Sequence, residues 1–228
     1  MKEVISLEYT FSLCEIFYNM SLSQYNIYLD SRKQLDELCK GERNFDVLSH
    51  NQNENTLFHS YYHKIYSSAI STIVFQAFAV EAYINFYGTK KLGKGVFHEH
   101  YDRINIKDKI IIVSRIATGK DFPKGEKVYE LVKKLFSQRD KLVHHKGHGI
   151  NFKECTQESF QNTMYGNIEF VLNDIDNLVN TYPMFINTLA ALEGKQLDLY
   201  TEQQTELVNE LQMTIVDTMK KAFGGNSE

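Results

Sequence analysis

Residues 69–86 read Ala69-Ile70-Ser71-Thr72-Ile73-Val74-Phe75-Gln76-Ala77-Phe78-Ala79-Val80-Glu81-Ala82-Tyr83-Ile84-Asn85-Phe86. Apolar side chains fall on nearly every face of a helix drawn through this stretch. A helix apolar all round must be covered by other elements, so it is the central helix of a bundle. Extended backwards, the pattern predicts one long helix from about Asn55 to Tyr87, with Gly88, Gly93 and Gly95 breaking the chain after it.

The rest of the chain supplies elements to surround that helix. Residues 4–18 fit a strand through Ile5, Leu7, Tyr9, Phe11 and Leu13, and fit a helix equally well through Val4, Leu7, Phe11, Cys14 and Tyr18. The helical reading is preferred because everything downstream is helical. Helices are expected over 22–40, 96–102, 106–117, 126–146, 157–192 and 202–222, with polar or glycine-rich breaks between them. Helix 157–192 is expected to bend or break near Pro183. Only two prolines occur, which favours uninterrupted helices. The expected fold is therefore all-α: a helical core over 55–192, an N-terminal extension over 1–54, and a C-terminal helix with a frayed tail over 193–228.

Composition narrows the function classes. With 228 residues, 43% hydrophobic and 13% aromatic, the chain can build a real core. Its formal charge of -4 argues against a general nucleic-acid coater. Between Lys120 and Ile150, however, eight Lys/Arg face four acids, a local excess of four positive charges. Cys14, Cys39 and Cys155 are odd in number and widely spaced, as packing residues of a reducing compartment would be. The N-terminus lacks a signal-peptide pattern, and Gln76 and Glu81 interrupt the richest apolar run. A soluble, cytoplasmic protein without a membrane association is expected. No metal-ligand cluster, phosphate loop of Walker type or Ser/Cys nucleophile motif is present, so no cofactor is expected.

The chemistry concentrates at Arg139-Asp140-Lys141-Leu142-Val143-His144-His145-Lys146. Projected on a helix, residues 128, 132, 135, 139, 142 and 146 form one stripe, and Arg139 stands among its apolar members. A charge there must be paired or face a cleft. Glu81, in the most apolar helix, is a candidate partner, or else it marks a polar seam with Asn85 one turn on. Asp140 and His144 are four apart and face the same way, so the carboxylate can orient the imidazole. Arg139 and His144 diverge by about 140° on an ideal helix. They meet on one phosphate only if the helix loosens, the arginine reaches round, or a second chain completes the site. The plain alternatives are a structural ion pair for Arg139 and a helix C-terminus favouring cations for His144 and His145.

Two stretches carry a family resemblance: Arg139-Asp140-Lys141-Leu142-Val143-His144, and the preceding buried helix Phe78-Ala79-Val80-Glu81-Ala82-Tyr83-Ile84-Asn85. Their order, with a helix near Ile106-Lys107-Asp108-Lys109 between them, resembles the HEPN superfamily of all-α bundles, many of them RNA-cutting toxins and antiphage defence proteins. The resemblance covers about 55–192. It implies a homodimer whose two motifs share one cleft. In that reading His144 is the acid–base residue, Arg139 holds the scissile phosphate, and Asp140 is the polar orienter. Glu81 and His145 are supporting residues, and Lys133, Lys134, Lys141 and Lys146 contact RNA. The implied reaction is metal-independent attack of the ribose 2′-OH on its phosphate, with RNA as substrate. An antitoxin or other protein partner belongs to the same expectation. Some members carry a tyrosine two residues after the histidine; here that position is Lys146. His145 offers a second register. A helical module that binds nucleotide, RNA or a protein without cutting is the rival reading.

Overall fold

The computed structural model describes residues 2–39, 52–143 and 169–194. Among them every regular element is a helix and no strand occurs. In chain order these are α1 (Lys2–Leu38), α2 (Gln52–Leu92), α3 (Lys94–His100), α4 (Ile106–Thr118), α5 (Lys127–Val143), α6 (Glu169–Leu172), α7 (Ile175–Leu178) and α8 (Thr181–Leu192).

The stretch 69–86 does lie at the centre. Ala69, Ile73, Ala77, Ala79, Val80 and Ile84 are all inaccessible to solvent. α2 packs against α1, α3, α4, α5, α6, α7 and α8. Its alanines let neighbouring backbones approach closely, and its larger side chains fill the gaps between them.

The most extensive pairing joins α1 to α2. Residues 4–18 resolve as helix, and α1 continues without a break into the region expected as a separate helix over 22–40. Cys14, Tyr18 and Tyr28 of α1 belong to the same core cluster as the centre of α2. The segment expected as an N-terminal extension thus supplies part of the bundle's core. Its opposite face leaves Leu13, Ile16, Met20 and Ile27 exposed.

Gly88 does not break the chain; α2 runs through it to Leu92. The glycine is there for packing. A Cβ at Gly88 would lie 2.3 Å from Cε2 of the Phe97 ring, so its absence lets α3 dock on α2. Gly95 likewise sits within α3. α4 has a defined start and stop. The Asn105 side chain accepts a hydrogen bond from the Lys107 backbone N–H, and Gly119 takes a left-handed conformation at φ 72°.

The helix expected over 157–192, with a bend or break near Pro183, is described from 169 onward. Among the described residues it is three short helices, with one break at 179–180, close to Pro183, and another at 173–174. Pro183 sits in the first turn of α8, where a missing N–H costs nothing. The turn between α7 and α8 is held by buried Gln76 of α2. Its Nε2 donates to the Val179 carbonyl, and its Oε1 accepts the Tyr182 N–H. One side chain thereby satisfies both backbone groups at that break.

By length and composition, Thr56–Leu92 is also apolar enough to cross a membrane, and half of its most apolar window is buried in the fold. The expectation that Gln76 and Glu81 would keep this run below that threshold is corrected. Gln76 meets its polar needs within the bundle, and Glu81 pairs with Arg139 at a rim open to water.

Candidate functional site

Two residues of α2 form a polar seam, Glu81 and Asn85, one turn apart. Each meets a cation from a different helix. Glu81 Oε2 lies 3.6 Å from a terminal nitrogen of Arg139 on α5. Asn85 Oδ1 accepts a hydrogen bond from Lys109 Nζ on α4, at 2.8 Å. The alternatives read from the sequence, partner or seam, are therefore both present.

Arg139 is held on three sides. Its second terminal nitrogen lies 3.3 Å from Asp140 Oδ1. Its guanidinium stacks over the Phe136 ring at 5.3 Å, and its Nε is buried without a hydrogen-bond partner. The side chain is only 22% exposed, against 39% for Glu81 and 54% for Asp140. Both ion pairs thus lie at a rim open to water, while the arginine stem lies in the packed seam. Arg139 sets its one positive charge against two negative ones, so an incoming phosphate must compete with Glu81 and Asp140. Asp140, expected to orient His144, spends part of its charge on Arg139. His144, His145 and Lys146 lie outside the described residues.

Lys109 escaped the sequence reading. It is 2% exposed. It donates to Asn85 and to the Asp102 carbonyl, at 2.9 Å, and stands over the Phe97 ring. Burial pulls its pKa below the ordinary lysine value, and the Asp102 and Glu81 charges oppose that shift. Its position could have been found: it sits between Ile106 and Val113 on the apolar stripe of α4, as Arg139 does on α5.

Of the lysines expected to contact RNA, the three described ones lie elsewhere. Lys133, Lys134 and Lys141 line an open groove of about 710 Å³ that also takes in Lys107 of α4 and Lys127 of α5. Lys133 is paired with Glu130 at 3.0 Å, and Lys134 with Asp174 at 2.5 Å. On an ideal helix Lys134 points about 140°, and Lys141 about 160°, away from Arg139. Helix α5 therefore separates the arginine seam from the lysine groove.

No protein-family model, curated protein or solved structure matches this chain.

The seam offers an anchored guanidinium with unspent donors, two carboxylates and, behind them, a desolvated ammonium. That set can position an anion or hold two helices in register. It contains no described group suited to take a proton near neutral pH. The nearest imidazoles in sequence begin one residue after α5 as described. Elsewhere, Tyr87 donates to Glu193 at 2.8 Å and Lys91 ion-pairs with the same carboxylate, an arrangement that ties the end of α8 to α2.

Proposed function

We propose that this chain is a HEPN-type endoribonuclease that works as a homodimer, with Arg139 and His144 contributing to a composite site. The observation that carries the reading is the Arg139–Glu81 pair. The two stretches on which the family resemblance rests are 58 positions apart from Glu81 to Arg139, and this pair joins them. Arg139 holds or stabilises the phosphate, His144 moves the proton, and Asp140 orients. The nucleophile is the substrate's own 2′-OH: as its oxygen bonds to the adjacent phosphorus and loses its proton, the P–O5′ bond breaks and the departing 5′-oxygen takes a proton, leaving a 2′,3′-cyclic phosphate on one product and a 5′-OH on the other.

Support for a second chain comes from the surface next to the pair. Phe78, three residues before Glu81 on α2, is 39% exposed. It contacts Phe17 at 5.4 Å between ring centroids. Phe17 lies on α1 beside the exposed Leu13, Ile16 and Met20. An apolar stripe thus runs up to the edge of the arginine seam, where a partner that completes the site would bury it.

A non-catalytic RNA-binding module is the second reading. It is favoured by the two carboxylates of the chain itself that already meet the Arg139 charge. The two readings are separated by incubating the full chain with labelled RNA, and with the matching DNA, in excess chelator. The nuclease reading expects RNA cleavage, intact DNA and 2′,3′-cyclic phosphate ends. Binding of diverse RNAs without any cleavage overturns it in favour of the module.

A further inference from the structure

We propose that the lysine groove on α5 is a sequence-independent track for the phosphate backbone of single-stranded RNA, built on the side of the helix that does not carry Arg139. The proposal rests on RNA as the ligand, as argued above, and assigns Lys107 and Lys127 a role alongside Lys133, Lys134 and Lys141.

Charge and shape both point this way. The groove is lined by five lysines against two acids, Glu130 and Asp174. Those acids are already engaged by Lys133 and Lys134, and Gln138 also donates to Asp174. Lys107 and Lys127 have no carboxylate partner among the described residues, so their charge is available to a ligand. Glu130 and Asp174 fix two of the lysines in place while leaving the groove net positive.

Length favours a chain over a compact anion. Lys127 and Lys141 are fourteen residues apart on one helix, about 21 Å along its axis. A single phosphate or nucleotide would meet only part of that row. No aromatic side chain lines the groove, so there is no platform for stacking a base, and recognition falls to the backbone. The remaining polar lining, Ser137 and Asn177, can donate to phosphate oxygens without reading sequence.

Placing the track and the arginine on different faces of α5 has a mechanistic consequence. A strand lying in the groove does not touch Arg139 of the same chain, which faces the other side of α5. It has to pass round the end of α5, or reach the Arg139 seam of a second chain. Binding and cleavage therefore separate by mutation.

The test is fluorescence anisotropy of the full-length chain with a labelled 20-nucleotide oligouridylate from 50 to 200 mM salt. Wild type is compared with Lys127→Glu, Lys107→Glu and the exposed-site control Lys94→Glu, with circular dichroism checking that each is folded. The expected result is a wild-type slope of log affinity on log salt steeper than about -2. Each groove variant should bind about tenfold more weakly with a shallower slope, and the control within about twofold of wild type. Wild type that does not bind, groove variants that match the control, or tighter binding of a poly-glutamate peptide than of the oligonucleotide each overturn the track. Failure of the nuclease reading looks different: binding sensitive to Lys127→Glu with no cleavage leaves the track standing. Arg139-dependent cleavage with binding insensitive to Lys127→Glu sinks the track alone.

Discussion

The Arg139 guanidinium and the Glu81 carboxylate face each other across the α2–α5 seam, 3.6 Å apart. Arg139 stands in an otherwise apolar stripe of α5, and Glu81 shares its strip of α2 with Asn85. The arginine is the more enclosed of the two, so the pair ties a nearly buried cation to a carboxylate at the edge of water. Its worth is that of a partly screened pair. In a double-mutant cycle of Glu81→Gln and Arg139→Met, urea unfolding is expected to give a coupling of about 0.5–1 kcal/mol that shrinks with added salt. Additive single effects would show that the two groups do not interact in solution.

Gly88 and Phe97 make a sharper packing prediction. The ring is fully buried, and a methyl group at Gly88 would overlap it, with Cδ2 at 2.6 Å. Gly88→Ala should cost about 2 kcal/mol by overpacking, despite alanine's better helix propensity. Adding Phe97→Leu should give a double variant more stable than the sum of the single effects. Denaturant midpoints check both; a stabilised Gly88→Ala chain would rule out the close approach.

Much of the bundle was legible in the sequence, because periodicity reports burial directly. The run 69–86 marked the central helix, and the stripe 128–142 marked the inner face of α5. Other features were not legible. Gly88 reads as a breaker locally, and only the tertiary approach of Phe97 explains it. The ambiguity over 4–18 was settled by packing along α2, which no local window contains. Gln76 reads as an interruption of an apolar run, whereas it caps a break more than a hundred residues away. At the candidate site, Arg139 and Glu81 could be paired from their positions in apolar stripes. The groove could be read only in part: Lys127, Lys133, Lys134 and Lys141 share one helix, whereas Lys107 of α4 and Asp174 join them only in space.

Gln76→Leu tests the cap. The substitution keeps the volume roughly constant but leaves the Val179 carbonyl and the Tyr182 N–H without this partner. A loss of about 2–4 kcal/mol is expected, one buried backbone group at a time. Hydrogen exchange should show the Tyr182 amide losing protection first. Unchanged protection there would mean that the α7–α8 turn is held by something other than Gln76.

Alkaline pH is expected to weaken the fold. Burial pushes the Cys14 thiol up from an ordinary value of 9.0 to about 12. Tyr83 rises from 10.0 to about 12, through burial first and the Glu193 charge second. Tyr87 is also raised, by burial and by its hydrogen bond to Glu193. For each group the folded value exceeds the unfolded one. The native state therefore keeps protons that the unfolded chain releases, and stability present below about pH 9 is lost as pH climbs towards 12. Lys109, lowered in the fold, opposes the trend up to its ordinary value of 10.5. Thermal midpoints should fall from pH 9 to 11. Tyr83→Phe should flatten the decline by up to about 1.4 kcal/mol per pH unit above pH 10. An equally steep decline in that variant would remove Tyr83 from the explanation.

In the proposed dimer, Arg139 of one chain and His144 of its partner form one shared site. Mixing Arg139→Ala with His144→Ala chains, after co-refolding to exchange subunits, tests it most directly by RNA cleavage in chelator. Each variant alone is expected to be inactive, and the mixture to regain a measurable share of wild-type activity, because a mixed dimer carries one intact arginine and one intact histidine on opposite chains. Wild-type levels of cleavage by either variant alone would contradict the claim, as would a mixture as inactive as its components while wild type cuts.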